Sequence, residues 1–279
     1  MKKIFIVGTP RSGTTLTQAI LQQHPDVYTL PETHFIEKLR RTKEIRILRL
    51  LDFYKLKKSN IINAYQHLLE VSNCDLSIDK GILYKANTLS KGVQLMDTIL
   101  TGLAKEANKT IWAEKSPEHI FYINLIEKNI NDLKFIHVIR DGRDVVASIY
   151  DASLKYKKVW GWCADIDKCI NLYNNSIKQS KQYINADNHY FLFYDNLVLD
   201  PEEEIKKLYH FLGINNYIFD FSNFNSGNTA IVHPREQWKM EVTTGIQNRT
   251  LMKFKKIFTK TQQEYIEKHI VSLDTSFLK

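Results

Sequence analysis

The stretch Ile4-Phe5-Ile6-Val7-Gly8-Thr9-Pro10-Arg11-Ser12-Gly13-Thr14-Thr15-Leu16 constrains this chain more than any other. Its apolar run reads as a strand that ends in a glycine-bounded turn, and a helical pattern follows through Gln23. A strand, loop and helix in this order can hold an anion on the loop N–H groups and the helix N-terminus. The triphosphate-binding version reads G-x-x-x-x-G-K-S/T, with lysine after the second glycine. Gly8 and Gly13 have that spacing, but Thr14 stands where the lysine belongs, followed by Thr15. A positive charge appears earlier, at Arg11. The loop Pro10-Arg11-Ser12-Gly13-Thr14-Thr15 therefore suits a nucleotide with one 5′ anionic group rather than three phosphates in a row.

A net charge of +8 in 279 residues suits an anionic ligand or acceptor, such as a nucleotide, an acidic glycan or an acidic peptide. No dense basic block interleaved with aromatics is present, which disfavours nucleic acid. Cys74, Cys163 and Cys169 have no paired short spacing and read as reduced thiols, neither a disulfide framework nor a zinc site. The N-terminal apolar run, Ile4 to Val7, is too short for a signal peptide. No apolar run approaches the roughly 18 residues of a membrane span. These features lead us to expect a soluble cytoplasmic protein, with its oligomeric state left open.

Strand patterns at Val27–Leu30, Ile111–Ala113, Leu133–Ile139 and His189–Tyr194 alternate with helical ones. Helices are expected from Pro117 to about Asn129, Arg143 to Tyr156, Ala164 to Ile184, Asp200 to before Gly213, and Thr261 to Val271. Residues 36–108 carry helical patterning, and 214–250 look irregular. With no repeat or linker composition, the expectation is a single α/β domain over residues 1–279. It would be a three-layer sandwich whose central, mainly parallel sheet has helices on both faces. Active sites in such sheets lie beyond the strand C-terminal ends, where each motif here falls.

A second motif reads Val138-Ile139-Arg140-Asp141-Gly142-Arg143-Asp144-Val145-Val146-Ala147-Ser148. Arg140 leaves the end of a buried strand and Ser148 lies in the following helix, a placement able to clamp a second phosphate. The competing reading is an Arg140–Asp141 pair that merely holds the strand–helix corner.

Together the motifs resemble the sulfotransferase family, whose donor is 3′-phosphoadenosine 5′-phosphosulfate (PAPS). The first loop is similar to that family's 5′-phosphosulfate loop, Pro-Lys/Arg-Ser-Gly-Thr-Thr-Leu/Trp. The second is similar to its 3′-phosphate site, with Arg140 and Ser148 at the matching positions. Tyr194-Asp195-Asn196-Leu197-Val198-Leu199-Asp200-Pro201 through Phe211-Leu212-Gly213 resembles a third family stretch, in which Asn196 replaces the usual aspartate. The resemblance implies a P-loop type nucleotide-binding fold, PAPS as donor, adenosine 3′,5′-bisphosphate as product and no metal. In-line sulfuryl transfer is dominated by positioning and charge stabilisation.

The small-molecule branch of the family takes its base from a Lys-Thr-His stretch. Here Glu114-Lys115-Ser116-Pro117-Glu118-His119 keeps the lysine but has Pro117 at the histidine position. The tyrosylprotein branch is similar over His24-Pro25-Asp26-Val27 and Pro31-Glu32-Thr33, and the spacing from Arg11 to Glu32 matches it. The resemblance makes Glu32 the catalytic base and Lys115 the transition-state cation, with Arg11 at the 5′ end. A carboxylate beside two such cations would stay ionised and ready to take a proton. His34 and His119 are rival bases. Tyr194 is placed near the adenine or in the core, and Thr244, Gly245 and Arg249 are candidates for a late loop touching phosphate.

The expected activity is sulfuryl transfer to a hydroxyl acceptor, which can be a glycan, small molecule, lipid or peptide tyrosine, and can itself be anionic. Residues 36–108 would form much of the acceptor side. A P-loop nucleotide kinase is the second reading, opposed by Thr14 and by the lack of a clear Mg²⁺-binding aspartate after a strand. The third is a non-catalytic binder of nucleotides or acidic glycans.

Overall fold

The computed structural model describes residues 1–40, 55–74, 80–214, 216–222, 224, 231–232, 246 and 251–271. Among these described residues five strands form one sheet: β1 (Lys2–Gly8), β2 (Val27–Thr29), β3 (Ile111–Lys115), β4 (Leu133–Ile139) and β5 (His189–Phe193). Their order is β2-β3-β1-β4-β5, and all four pairings are parallel. Parallel strands need long crossovers, and helices supply them. These are α1 (Thr14–Gln22), α2 (Phe35–Leu39), α3 (Lys58–Ser72), α4 (Lys80–Lys85), α5 (Leu89–Glu106), α6 (Ile123–Glu127) and α7 (Gly142–Lys155). There follow α8 (Lys157–Trp160), α9 (Ile166–Lys181), α10 (Tyr194–Leu199), α11 (Pro201–Leu212), α12 (Met252–Ile257) and α13 (Lys260–His269).

The sheet is covered on both faces because β1 is apolar on both. Phe5 and Val7 join a core with Ile61 and Leu68 of α3 and Met96 and Leu100 of α5. Ile4 and Ile6 join another with Ala19 and Ile20 of α1 and Ile205 and Leu208 of α11. Burial on both sides is why these strands read as continuous apolar runs rather than alternating ones. A third cluster joins Val145, Val146 and Ile149 of α7 to Ile170 and Ile177 of α9, and reaches Phe254 and Phe258 beyond.

The local signals account for the boundaries. Asp200 caps α11 by accepting from the Glu203 N–H, Pro201 fills its first turn, and Gly213 closes it at φ 66°. Asp141 caps α7 through the Arg143 N–H. One expectation is corrected: the helix from Pro117 opens as a 3₁₀ turn, Pro117–Tyr122, before α6. The His119 N–H bonds back to the Ser116 carbonyl at 2.9 Å. His119 itself is drawn inward onto Glu114, which tightens the turn. The helices α8, α10 and α12 were not marked by the sequence pattern, and all are of six residues or fewer.

This order positions the site. β1 lies between β3 and β4: the chain builds β2 and β3 on one side of it and then crosses over to β4 and β5 on the other, the arrangement in which open α/β sheets bind ligands beyond the strand ends. Gly8 lies opposite Val138 and Ile6 opposite Lys115. The glycine loop therefore leaves the sheet between Lys115 and Arg140.

Candidate active site

The first loop is built tightly. Arg11 is held at φ 72° and Gly13 at φ 108°. The left-handed region costs a non-glycine residue roughly 1–2 kcal/mol, and such strain concentrates at functional sites. Gly8 and Gly13 are required by close approach. A Cβ at Gly8 would sit 2.7 Å from the Val138 carbonyl oxygen, and one at Gly13 would sit 2.3 Å from the Tyr194 ring. Gly13→Ala is accordingly expected to destabilise the chain by about 1–3 kcal/mol through overpacking and backbone strain. A lower melting temperature together with lost nucleotide binding would show it.

Three contacts knit this loop to the rest of the site. Arg11 Nε donates to Ser148 Oγ at 3.1 Å, joining the first loop to α7. The Tyr194 ring, packed over Gly13, carries the Arg140 guanidinium on its face at 4.3 Å from the centroid. Lys115 Nζ donates to Thr15 Oγ1 at 3.4 Å. Tyr194 thus serves as a spacer between the two motifs.

Arg140 does not pair with Asp141. Its Nη2 reaches Asp144 Oδ2 at 3.4 Å, while Asp141 binds Arg143 at 2.6 Å. Asp144 is buried and also accepts from the Leu251 N–H at 3.0 Å, so it tethers the start of α12 to α7. Sequence reasoning missed Asp144, although its place four residues after Arg140 on a helix start was a legible signal. Among the described residues, two donors of these motifs are buried without a hydrogen-bond partner, Ser12 Oγ and Arg140 Nε, and so is an acceptor of the neighbouring stretch, Asp195 Oδ1. Buried polar atoms without partners are rare enough to need a reason. One of the two donors lies in each anion-binding motif, which fits a ligand with two separated anionic groups.

Glu32 and Lys115 meet directly. Lys115 Nζ donates to Glu32 Oε1, and Lys115 is fully buried. Glu32 Oε2 faces His34 Nε2 at 3.1 Å, so each carboxylate oxygen has a basic partner. Behind them Glu114 accepts from Thr33 Oγ1 at 2.8 Å and Ser116 Oγ at 2.6 Å, and Ser116 Oγ accepts the His34 N–H at 3.0 Å. These bonds fix the turn that carries Glu32.

Of the rival bases, His119 is removed by its position. It is fully buried, with Nδ1 on Glu114 at 2.7 Å and Nε2 toward Glu37 at 3.3 Å. Burial would lower its pKa, but the Glu114 and Glu37 carboxylates hold it well above the ordinary histidine value. His34 lies beside Glu32 in a charged state. Burial alone would pull it down, yet the Glu32 hydrogen bond and the charges of Glu32, Glu118 and Glu37 carry it up to about 9. An imidazolium has no lone pair to take a proton.

This sets a pH dependence. The stability contributed by His34 is fully present below its unfolded value of 6.5 and is lost as pH rises through about 9. Wild type is expected to lose more unfolding free energy over that interval than His34→Asn, which tolerates the local φ of 45°. Denaturant midpoints across the same pH range would measure the difference.

Thr244, Gly245 and Arg249 lie outside the described residues, as does most of the late loop assigned to them. Cys163 and Cys169, which have no short spacing in sequence, meet in the fold with Sγ atoms 3.9 Å apart, both as free thiols. Among the described residues no group of three or more His, Cys, Asp or Glu side chains is placed to hold a metal ion.

With this geometry in hand, residues 3–218 match the profile of the Sulfotransferase family. The chain belongs to the sulfotransferase family. Among curated sulfotransferases it is 28% identical over 218 residues to a protein-tyrosine sulfotransferase of Drosophila melanogaster, covering 77% of this chain and 38% of the relative. Protein-tyrosine sulfotransferase 1 of Danio rerio is 27% identical over 218 residues, covering 77% of this chain and 54% of the relative. The chain thus spans 38% and 54% of these two relatives' lengths. Among solved structures, the sulfotransferase domain of the Synechococcus PCC 7002 olefin synthase superposes with a TM-score of 0.56. It is 20% identical and covers 98% of this chain and 96% of that one. Mouse sulfotransferase SULT7A1, solved with PAP, superposes with a TM-score of 0.51 at 14% identity, covering 96% of this chain and 82% of that one. These likenesses establish the sulfotransferase fold.

Proposed function

We propose that this chain is a single-domain enzyme that transfers a sulfuryl group from PAPS to a hydroxyl acceptor. The observation that carries the reading is the pairing of two anion-ready motifs, each with a buried unpartnered donor, beside a carboxylate held by a buried lysine. The donor nucleotide supplies the sulfuryl group and departs as adenosine 3′,5′-bisphosphate. Ser12, Gly13, Thr14 and Thr15 would hold its 5′ end. Arg140 and Ser148 would hold its 3′-phosphate, as the resemblance implies. Arg11, bonded to Ser148, links the two motifs.

Glu32 takes the proton from the acceptor hydroxyl at a carboxylate oxygen. Lys115 Nζ, between Glu32 Oε1 and Thr15 Oγ1, is placed to balance charge where the first loop meets the base. His34, charged at neutral pH, orients the second carboxylate oxygen. The kinase alternative lacks support: the loop has no lysine after Gly13.

The test is release of adenosine 3′,5′-bisphosphate from PAPS in the presence of phenols, tyrosine peptides, glycans and lipid alcohols. Acceptor-dependent release is expected from the wild type. Arg140→Ala is expected to weaken bisphosphate binding by about 1.5–3 kcal/mol, the worth of a hydrogen bond to a charged group. Binding of the nucleotide without turnover on any acceptor would favour the non-catalytic binder.

A further inference from the structure

The end of α7 and the segment after it carry apolar side chains that the core does not use. Leu154 is 47% exposed, Val159 52% and Trp162 57%. Val159 and Trp162 are three residues apart across α8 and the 3₁₀ turn Gly161–Cys163, so they share a side of one continuous helical stretch. Between and beside them Lys155, Lys157 and Lys158 are exposed.

α12 extends the same face. Lys155 and Lys253 both reach Asp151, at 2.9 and 3.3 Å, which places α12 against the last turns of α7. On α12, Met252 is 67% exposed, and Lys255 and Lys256 are exposed as well. The packed sides of these elements are already filled by Phe254 and Phe258 against Val146 and Ile149. The outward residues take no part in that packing.

We propose that this face docks the chain on an anionic lipid surface. Leu154, Val159, Trp162 and Met252 would enter the headgroup and acyl boundary, and the lysines would lie among the phosphates. A tryptophan beside aliphatic side chains, ringed by lysines whose stems can also lie on hydrocarbon, is the composition that interfacial segments use. Nucleic acid would be met instead by aromatics for stacking and by arginines, with no use for exposed leucine, valine and methionine. The charge is complementary to such a membrane: the chain carries +8 overall, and of the six lysines at this face Lys155 and Lys253 contact one carboxylate, Asp151, while exposed Asp165 follows Trp162 by three residues. No described helix is long and apolar enough to cross a membrane, so this contact is peripheral.

The placement has a consequence for the site. Ser148 lies on α7 six residues before Leu154, about 9 Å along the helix axis. The docking face thus begins about two turns from the anion-binding motif, and a bound chain would work close to the lipid surface. The proposal stands on these exposed residues and does not depend on sulfuryl transfer.

Vesicle co-sedimentation of the full chain tests it, comparing pure phosphatidylcholine with phosphatidylcholine containing about one third phosphatidylglycerol. Binding to the anionic vesicles alone, weakened by salt, is expected. Val159→Asp with Trp162→Ala should abolish it. Lys157→Glu and Lys158→Glu should each lower partition at least about fivefold, the effect of one lysine near an anionic surface. All four positions are exposed, and retained adenosine 3′,5′-bisphosphate binding or an unchanged melting curve would show the variants folded. Equal binding to neutral vesicles, or variants that bind like the wild type, would overturn the proposal. So would finding that the same substitutions abolish self-association or oligonucleotide binding while vesicles are ignored.

Discussion

Replacing Glu32 by glutamine is expected to lower turnover in the proposed sulfuryl transfer by about 10²- to 10⁴-fold, the usual worth of a positioned general base. The amide keeps the shape of the side chain and can still accept from Lys115, but it cannot take a proton. Affinity for adenosine 3′,5′-bisphosphate should stay as it is, because the two anion motifs are made by other residues. That split between turnover and binding identifies a catalytic role. His34 gives the contrast. It is charged and turned toward Glu32, so His34→Asn should shift the alkaline limb of the pH profile without matching the loss in Glu32→Gln. Equal losses in the two variants would contradict the assignment of the base to Glu32 alone.

Lys115→Met is expected to fail in two ways at once. Turnover should fall by about 10²- to 10³-fold, as when a preorganised electrostatic donor is lost. The fold should lose about 3–5 kcal/mol, because a buried ion pair is broken on one side. The lysine is fully buried and bonds both Glu32 and Thr15, so its removal strips a partner from a carboxylate that stays inside. Adding Glu32→Gln to Lys115→Met should recover part of that stability, since no unbalanced charge then remains. Denaturant unfolding of the two single variants and the double variant closes the cycle. Strictly additive losses would show that the two side chains act independently, against the geometry.

The sequence was informative where local chemistry decides structure. The glycine loop, the Pro201 start and Gly213 stop of α11, and the apolar runs of β1 and β4 are all set by neighbours in the chain. So is the place of Arg140 just after a strand, whereas β3 runs two residues past the expected Ala113, to Lys115. What depends on tertiary contact was not readable. Tyr194 could be assigned to adenine or core, yet it lies between Gly13 and Arg140, which only the pairing of β1, β4 and β5 can arrange. Asp141 was the natural partner for Arg140 by proximity, but as the cap of α7 it is turned toward Arg143 and leaves Arg140 to Asp144. His119 was a rival base because its type titrates near neutrality, and only the fold shows it enclosed by two carboxylates. The six-residue spacing of Cys163 and Cys169 conveyed nothing, yet the non-helical link at Ala164 and Asp165, between the 3₁₀ turn and α9, brings one thiol onto the other.

The central claim is that the chain holds a nucleotide by two separate anions, a 5′ group on the glycine loop and a 3′-phosphate on Arg140 and Ser148. Calorimetric titration of the wild type with adenosine 3′,5′-bisphosphate, 5′-AMP and ATP tests it most directly. The bisphosphate is expected to bind more tightly than 5′-AMP by about 1.5–3 kcal/mol, the value of the 3′-phosphate contact, and ATP to gain nothing from its extra phosphates. Equal affinity for the bisphosphate and 5′-AMP, or a preference for ATP with Mg²⁺, would contradict it.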